Sequence, residues 1–288
     1  MEKKIVKLIG AAFGWGAKIH ETQAGPSVIV SQTPDLNWEI LSPKTIFSTD
    51  DSLDYESRLS EVHEFNEQLA KKVHDAKVDG KFPLVMGGDH SIAIGTWSGV
   101  VEALKANNQF GLIWIDAHMD SHTQETTPSH NIHGMPLAAL MGYGEEKLVN
   151  VFSKGAKIDP RHVVLIGVRS FEDGEAKLLE KLKVKVFMMD EVKQLGFDKV
   201  FEKALEIVTL GTKGYGISLD LDAFDPQLVP GTGAPEPDGL NPNDVIVEIT
   251  KLRTEPYFHA IEITEFDPTK DIDNKTATVA KEIILNLI

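Results

Sequence analysis

The 288-residue chain contains no cysteine, which excludes disulfides, thiolate zinc sites and cysteine nucleophiles. It has no apolar run near the ~20 residues that a membrane span needs. It is short of positive charge: 29 Lys and Arg stand against 44 Asp and Glu, a net charge of −15. A basic face that neutralises nucleic-acid phosphates is therefore not expected, nor is adhesion to an anionic membrane surface. After Met1-Glu2-Lys3-Lys4 comes only a brief apolar-rich stretch, against the roughly 7–15 residues of a secretory signal. A cytoplasmic location is the expectation. Internal repeats and Pro- or Ser-rich linkers are also missing. What remains is a chain of 42% hydrophobic and 25% charged residues, the composition of an ordinary soluble globular protein. It is long enough to bury a large core, and we read residues 1–288 as a single domain.

Strand-like and helix-like segments alternate along it. Strands are expected at Ile5–Leu8, Pro83–Met86, Gly111–Ile115, Val163–Val168, Val184–Met188, Tyr215–Leu219 and His259–Ile263. Helices are expected at Ser52–Ala76, Ser91–Ala106, Glu175–Lys183, Phe197–Leu210, Pro242–Leu252 and Asp273–Leu287. In the first of these helices Leu59, Val62, Phe65, Leu69 and Val73 step by three or four residues and so share one face. Gly111-Leu112-Ile113-Trp114-Ile115 is continuously apolar, as a strand covered on both faces should be. The alternation predicts an α/β fold with one mainly parallel sheet between helices. Trp114 and the methionines read as packing residues, and Glu180–Lys185 as a solvated helix end. The polar, non-periodic segment Ser121–Ile132 directly follows a strand, a common place for a functional loop.

The informative residues stand where the strands end. One strand runs into Gly87-Gly88-Asp89-His90-Ser91, and the next into Asp116-Ala117-His118-Met119-Asp120. A third runs into Asp220-Leu221-Asp222-Ala223-Phe224-Asp225-Pro226, and the last ends near Glu265-Phe266-Asp267-Pro268. In a parallel sheet all C-terminal strand ends lie on one edge, where ligands bind. Asp116, Asp120, Asp220 and Asp222 would thus bring four carboxylates into one cleft. They cannot all stay ionised there without cations, and two divalent ions would balance them. His90 and His118 complete a set of six donors whose oxygen-rich chemistry favours manganese-like ions.

Gly87-Gly88-Asp89-His90-Ser91, Asp116-Ala117-His118-Met119-Asp120 and Ser218-Leu219-Asp220-Leu221-Asp222-Ala223-Phe224-Asp225-Pro226 resemble the three metal motifs of the ureohydrolase superfamily of arginases, agmatinases and formiminoglutamases, and the resemblance runs over nearly the whole chain, from Ile9-Gly10-Ala11 to the C-terminal helix. The resemblance implies a three-layer α/β/α sandwich, a binuclear centre of two divalent ions and a homo-oligomer, a trimer or hexamer. Manganese is the family's usual metal, and cobalt, nickel or iron would suit the same ligands. It further implies that His90, Asp116, Asp120 and Asp220 hold one ion and Asp116, His118, Asp220 and Asp222 the other, with a hydroxide between them as nucleophile. His133, in Asn131-Ile132-His133-Gly134, matches the family's proton-shuttle histidine, and Asp120 could also serve the leaving amine. Glu265 matches the carboxylate that receives the guanidinium.

The resemblance also bears on substrate. Ser129-His130-Asn131-Ile132-His133 resembles the arginase loop in which Ser and Asn contact the substrate's α-carboxylate. Glu172 and Glu175, in Gly167-Val168-Arg169-Ser170-Phe171-Glu172-Asp173-Gly174-Glu175, match acidic positions at the α-amino group. Three residues depart from that pattern: His122 replaces an Asn that contacts the carboxylate, His130 a Gly, and Ala234 a Thr near the guanidinium. The expected activity is hydrolysis of L-arginine to L-ornithine and urea. The alternatives are an agmatinase or another guanidino- or formimino-substrate hydrolase, and a non-catalytic binding subunit, against which the complete donor set speaks.

Overall fold

The computed structural model describes residues 4–18, 20–44 and 53–288. Its centre is one eight-stranded sheet: β1 (Val6–Ala11), β2 (Trp38–Leu41), β3 (Phe82–Gly87), β4 (Gly111–Ile115), β5 (Val163–Val168), β6 (Lys185–Met188), β7 (Tyr215–Asp220) and β8 (Phe258–Thr264). All pairings are parallel, in the order β2-β1-β3-β8-β7-β4-β5-β6. The seven expected strands are present, with ends shifted by a few residues at most. β2 was not expected: it is four residues long and only half-buried, too short for alternation to show.

Helices cover both faces, giving three layers. Against one face lie α1 (Gly25–Gln32), α7 (Met189–Leu195), α8 (Phe197–Thr209), α9 (Pro242–Lys251) and α10 (Lys275–Leu287). Against the other lie α2 (Tyr55–Val78), α3 (Ala93–Ala103), α4 (Pro136–Leu140), α5 (Glu146–Val149) and α6 (Asp173–Leu182). Strand residues alternate between the two cores: Ile113 and Ile115 of β4 face the first, Leu112 and Trp114 the second. Helix α2 starts where Asp54 accepts the Ser57 N–H at 2.8 Å, while the expected start, Ser52, lies outside the described residues. Its Leu59, Val62, Phe65, Leu69 and Val73 are at most 1% exposed, each burial worth about 1.5–3 kcal/mol. The segment expected as one helix from Ser91 to Ala106 instead opens with a 3-10 turn, His90–Ile92, and its α-helix ends at Ala103. Asp89 forces that turn by accepting the Ser91 N–H. Helices α1, α4, α5 and α7 went unanticipated, because four to eight residues do not display a 3.6-residue period. No helix among the described residues is long and apolar enough to cross a membrane.

The strand order positions the site. The chain leaves β3 and enters β4 three places away, and β8 and β7 later fill the two positions between them. The ends of β3, β8, β7 and β4 are therefore four consecutive neighbours, and these strands carry the His90, Glu265, Asp220 and Asp116 segments.

Candidate metal centre

The structure brings the six predicted donors into two groups. His90 Nδ1 lies 3.2 Å from Asp116 Oδ2, 3.0 Å from Asp120 Oδ2 and 3.1 Å from Asp220 Oδ2. His118 Nδ1 lies 3.1 Å from Asp222 Oδ2 and 3.5 Å from Asp116 Oδ1. Asp116 thus turns one oxygen to each group. Asp220 gives Oδ2 to the His90 group, while its Oδ1 accepts the Asp222 N–H at 2.8 Å. Asp120 holds its position with φ +47°, a strained conformation for a non-glycine residue.

These donors fit a divalent ion. His90 Nδ1 is fully buried, has no hydrogen-bond partner and faces three carboxylates. Its other nitrogen, Nε2, is 2.8 Å from Ser218 Oγ, which itself donates to Glu262 Oε1 at 2.6 Å. That relay makes Nε2 the protonated nitrogen and leaves the Nδ1 lone pair for a metal, the usual role of a hydrogen bond behind a ligating histidine. Trp97 Nε1 donates to the same Glu262 oxygen at 2.7 Å. Trp114 does more than pack: its ring stacks on His90 at 4.1 Å, and its Nε1 donates to Asp116 Oδ2 at 2.8 Å. Ser218, Glu262, Trp97 and this role of Trp114 were not anticipated. For Ser218 alone a sequence signal existed, its spacing of two from Asp220 on β7, which puts both on one face.

The electrostatics show how costly the cluster is without cations. Burial, then the Asp116 charge, push Asp120 up to about 6. Burial, then Asp222 and Asp116, push Asp220 well above the carboxylate range. Burial would depress His90, but the close carboxylates of Asp116, Asp120 and Asp220 outweigh it and raise the imidazole well above its usual value. The protein thus crowds four carboxylates around too few positive charges, as a cation site requires.

Beside the cluster, Glu265 is 3% exposed and also left-handed, with φ +62°. Its Oε1 accepts the His90 N–H at 2.8 Å and contacts His133 Nδ1 at 3.0 Å. A Cβ at Gly233 would come within 2.8 Å of Oε2, so only glycine leaves that oxygen open. Burial opposes charge on His133, but Glu265 prevails and raises it to about 9. A second glycine ties the loops after β1, β3 and β4 together. Gly16 N–H donates to Asp89 Oδ2 at 2.7 Å, and Gly16 O accepts the N–H groups of Ile132 and His133. A Cβ there would meet Asp89 Oδ1 and Ser91 Oγ at 2.6 Å.

A cleft of about 140 Å³ opens above these groups, and His122, Ser129, Asn131, Glu172, Glu175 and Glu265 all line it. The Asn131 N–H donates to Ser129 Oγ at 3.2 Å, and Asn131 Oδ1 is buried without a partner. His130 takes φ +56°, the conformation a glycine would adopt, and Arg58 Nη2 donates to its carbonyl at 3.0 Å. His122 was expected at the substrate's α-carboxylate and Glu172 at its α-amino group. They meet each other instead, His122 Nε2 lying 3.0 Å from Glu172 Oε2. Burial, with the Asp120 charge adding to it, raises the Glu175 carboxyl to about 8.

A three-layer α/β/α protein with His and Asp donors on adjacent strand ends has the architecture of a metal-dependent hydrolase. The sequence profile of the arginase family matches residues 4–288, and the chain belongs to that family. It is 38% identical over 286 residues to an arginase of Brevibacillus brevis, covering 96% of this chain and 95% of that one. The solved arginase of Bacillus subtilis superimposes with a TM-score of 0.87 at 37% identity, covering 99% and 98% of the two chains. An Entamoeba histolytica arginase in complex with L-ornithine superimposes with a TM-score of 0.88 at 27% identity, over 100% and 99%.

Proposed function

We propose that the chain, as one catalytic domain, hydrolyses the guanidinium group of L-arginine to L-ornithine and urea. The observation that carries this is the pair of donor groups sharing Asp116, set beside a buried carboxylate, Glu265. His90, Asp116, Asp120 and Asp220 would hold one divalent ion and Asp116, His118, Asp220 and Asp222 a second. Manganese is the expected metal and cobalt an alternative. Two such ions supply a water of lowered pKa, the strong nucleophile that a charge-delocalised guanidinium carbon requires at neutral pH.

The protein's own groups do the rest. Glu265 Oε2, left open by Gly233, receives the guanidinium through charge-assisted hydrogen bonds and sets its carbon over the donor groups. His133, kept protonated by Glu265, holds a proton for the departing amine, with Asp120 as a second candidate. Ser129 and Asn131 contact the α-carboxylate, Glu172 and Glu175 receive the α-amino group, and His122 holds Glu172 in place. The names of its relatives, and the ornithine held by one of them, support arginine over a decarboxylated substrate. The same reading places the enzyme in the cytoplasm as a homotrimer or hexamer, without nucleic-acid or membrane partners.

The test is urea release by manganese-loaded protein from L-arginine, agmatine and 4-guanidinobutyrate side by side. Urea from arginine alone is expected. Urea from an analogue instead would overturn the loop assignment and favour an agmatinase-type reading. No urea from any of them would favour another amidine substrate or a binding subunit.

A further inference from the structure

Outside the two donor groups, a third cluster of metal-ligating side chains sits at the mouth of the cleft. His122 Nε2 is 3.0 Å from Glu172 Oε2 and 3.5 Å from Glu175 Oε2, and one ligand atom from each of the three residues lies within 4.8 Å of the others. Ligands around a tetrahedral zinc ion, with bonds near 2.0–2.2 Å, stand about 3.4 Å apart. The two histidine distances already bracket that value. An imidazole with two carboxylates is also a donor set that suits zinc, nickel or cobalt.

The cluster is prepared by its surroundings. Glu175 is 3% exposed, and backbone N–H groups hold both its oxygens, Ser121 N to Oε1 at 3.2 Å and Glu172 N to Oε2 at 3.1 Å. His122 is buried, with Nδ1 fixed 3.1 Å from Thr126 Oγ1, so Nε2 is aimed at the two carboxylates. Glu172 keeps 60% of its side chain exposed, which leaves an entry path. Among the described residues neither glutamate is ion-paired to a Lys or Arg. The asparagine that arginase-like sequences carry at position 122 would supply a much weaker ligand than an imidazole.

We propose that His122, Glu172 and Glu175 form a peripheral divalent-cation site, and that an ion bound there competes with the substrate's α-ammonium group. The second half rests on the arginine reading above, because it is Glu172 and Glu175 that would receive that group. An occupied site places a positive charge where the α-ammonium must go, so arginine binding weakens while the deep donor groups are untouched.

The probe is Zn²⁺ added to manganese-loaded protein, with both metals counted by mass spectrometry after gel filtration. One zinc per chain is expected beyond the manganese, which stays bound. The apparent KM for L-arginine should rise at least about fivefold with kcat unchanged, and calorimetry should show L-ornithine binding weakened to a similar degree. His122→Asn and, separately, the surface substitution Glu172→Gln should each lose the additional zinc. Zinc uptake matched by manganese loss, or additional zinc retained in both variants, would overturn the site. Additional zinc with unchanged KM and ornithine affinity would overturn the competition. Additional zinc lost from both variants in a protein that makes no urea from arginine would uphold the site and sink the arginine reading instead.

Discussion

The floor and the rim of the cleft are built in opposite ways. The floor donors stand on or just beyond strands buried in the sheet, and their partners are other protein groups fixed in turn: Ser218 and Glu262 behind His90, Trp114 behind Asp116. The rim is a loop, residues 121–135, meeting the N-terminus of α6, and its side chains satisfy one another, His122 with Glu172 and Thr126. Sheet position dictates the floor. Local side-chain pairing dictates the rim, which is where a family can change substrate without changing chemistry.

The largest expected effect is on the floor. Asp120→Asn keeps the shape and tolerates the left-handed backbone but removes the charge. It should lose bound metal and on the order of a thousandfold in activity while the thermal unfolding midpoint stays nearly unchanged. Full metal content and native turnover would remove Asp120 from the donor set.

Next is Glu265→Gln. A charge-assisted hydrogen bond to the guanidinium contributes about 1.5–3 kcal/mol, so kcat/KM should fall on the order of a hundredfold. The variant also carries a pH signature. Glu265 holds His133 protonated up to about 9. Without that charge burial lowers the imidazole pKa, so the proton is lost at lower pH and the alkaline fall in rate should move toward neutrality. An unmoved alkaline limb would mean that His133 is not the proton donor.

Ser218→Ala tests the support beneath the floor. Removing the partner of His90 Nε2 should weaken metal binding about 10–100-fold, with activity recovered at high manganese. Equal metal affinity in the variant would reduce Ser218 to a packing residue. The smallest effect belongs to the rim: Asn131→Ala should raise KM for arginine several-fold and leave that for agmatine unchanged. Equal effects on the two would show that Asn131 does not contact the carboxylate.

Legibility in the sequence follows the same division. The floor was readable because His90, Asp116, Asp120, Asp220 and Asp222 lie in short motifs at the ends of strongly apolar strands, and parallel strands share an edge. Trp114, Ser218 and Glu262 were not readable, because they lie within strands where they look like ordinary interior positions. Their roles depend on which strands are neighbours, and the jump from β3 to β4 over two intervening positions is invisible until β7 and β8 are placed. At the rim the residues of the cleft were identified, but not that His122 would bond to Glu172. That contact joins side chains 50 positions apart, and no local pattern encodes it.

The most direct test of the account is a metal count on the native protein and two variants, dialysed against limiting manganese and measured by plasma mass spectrometry. Asp116 faces both donor groups, whereas His118 belongs to one. The native chain should hold two ions, His118→Asn about one, and Asp116→Asn none. A native chain with a single ion, or two ions retained in Asp116→Asn, would contradict the shared centre.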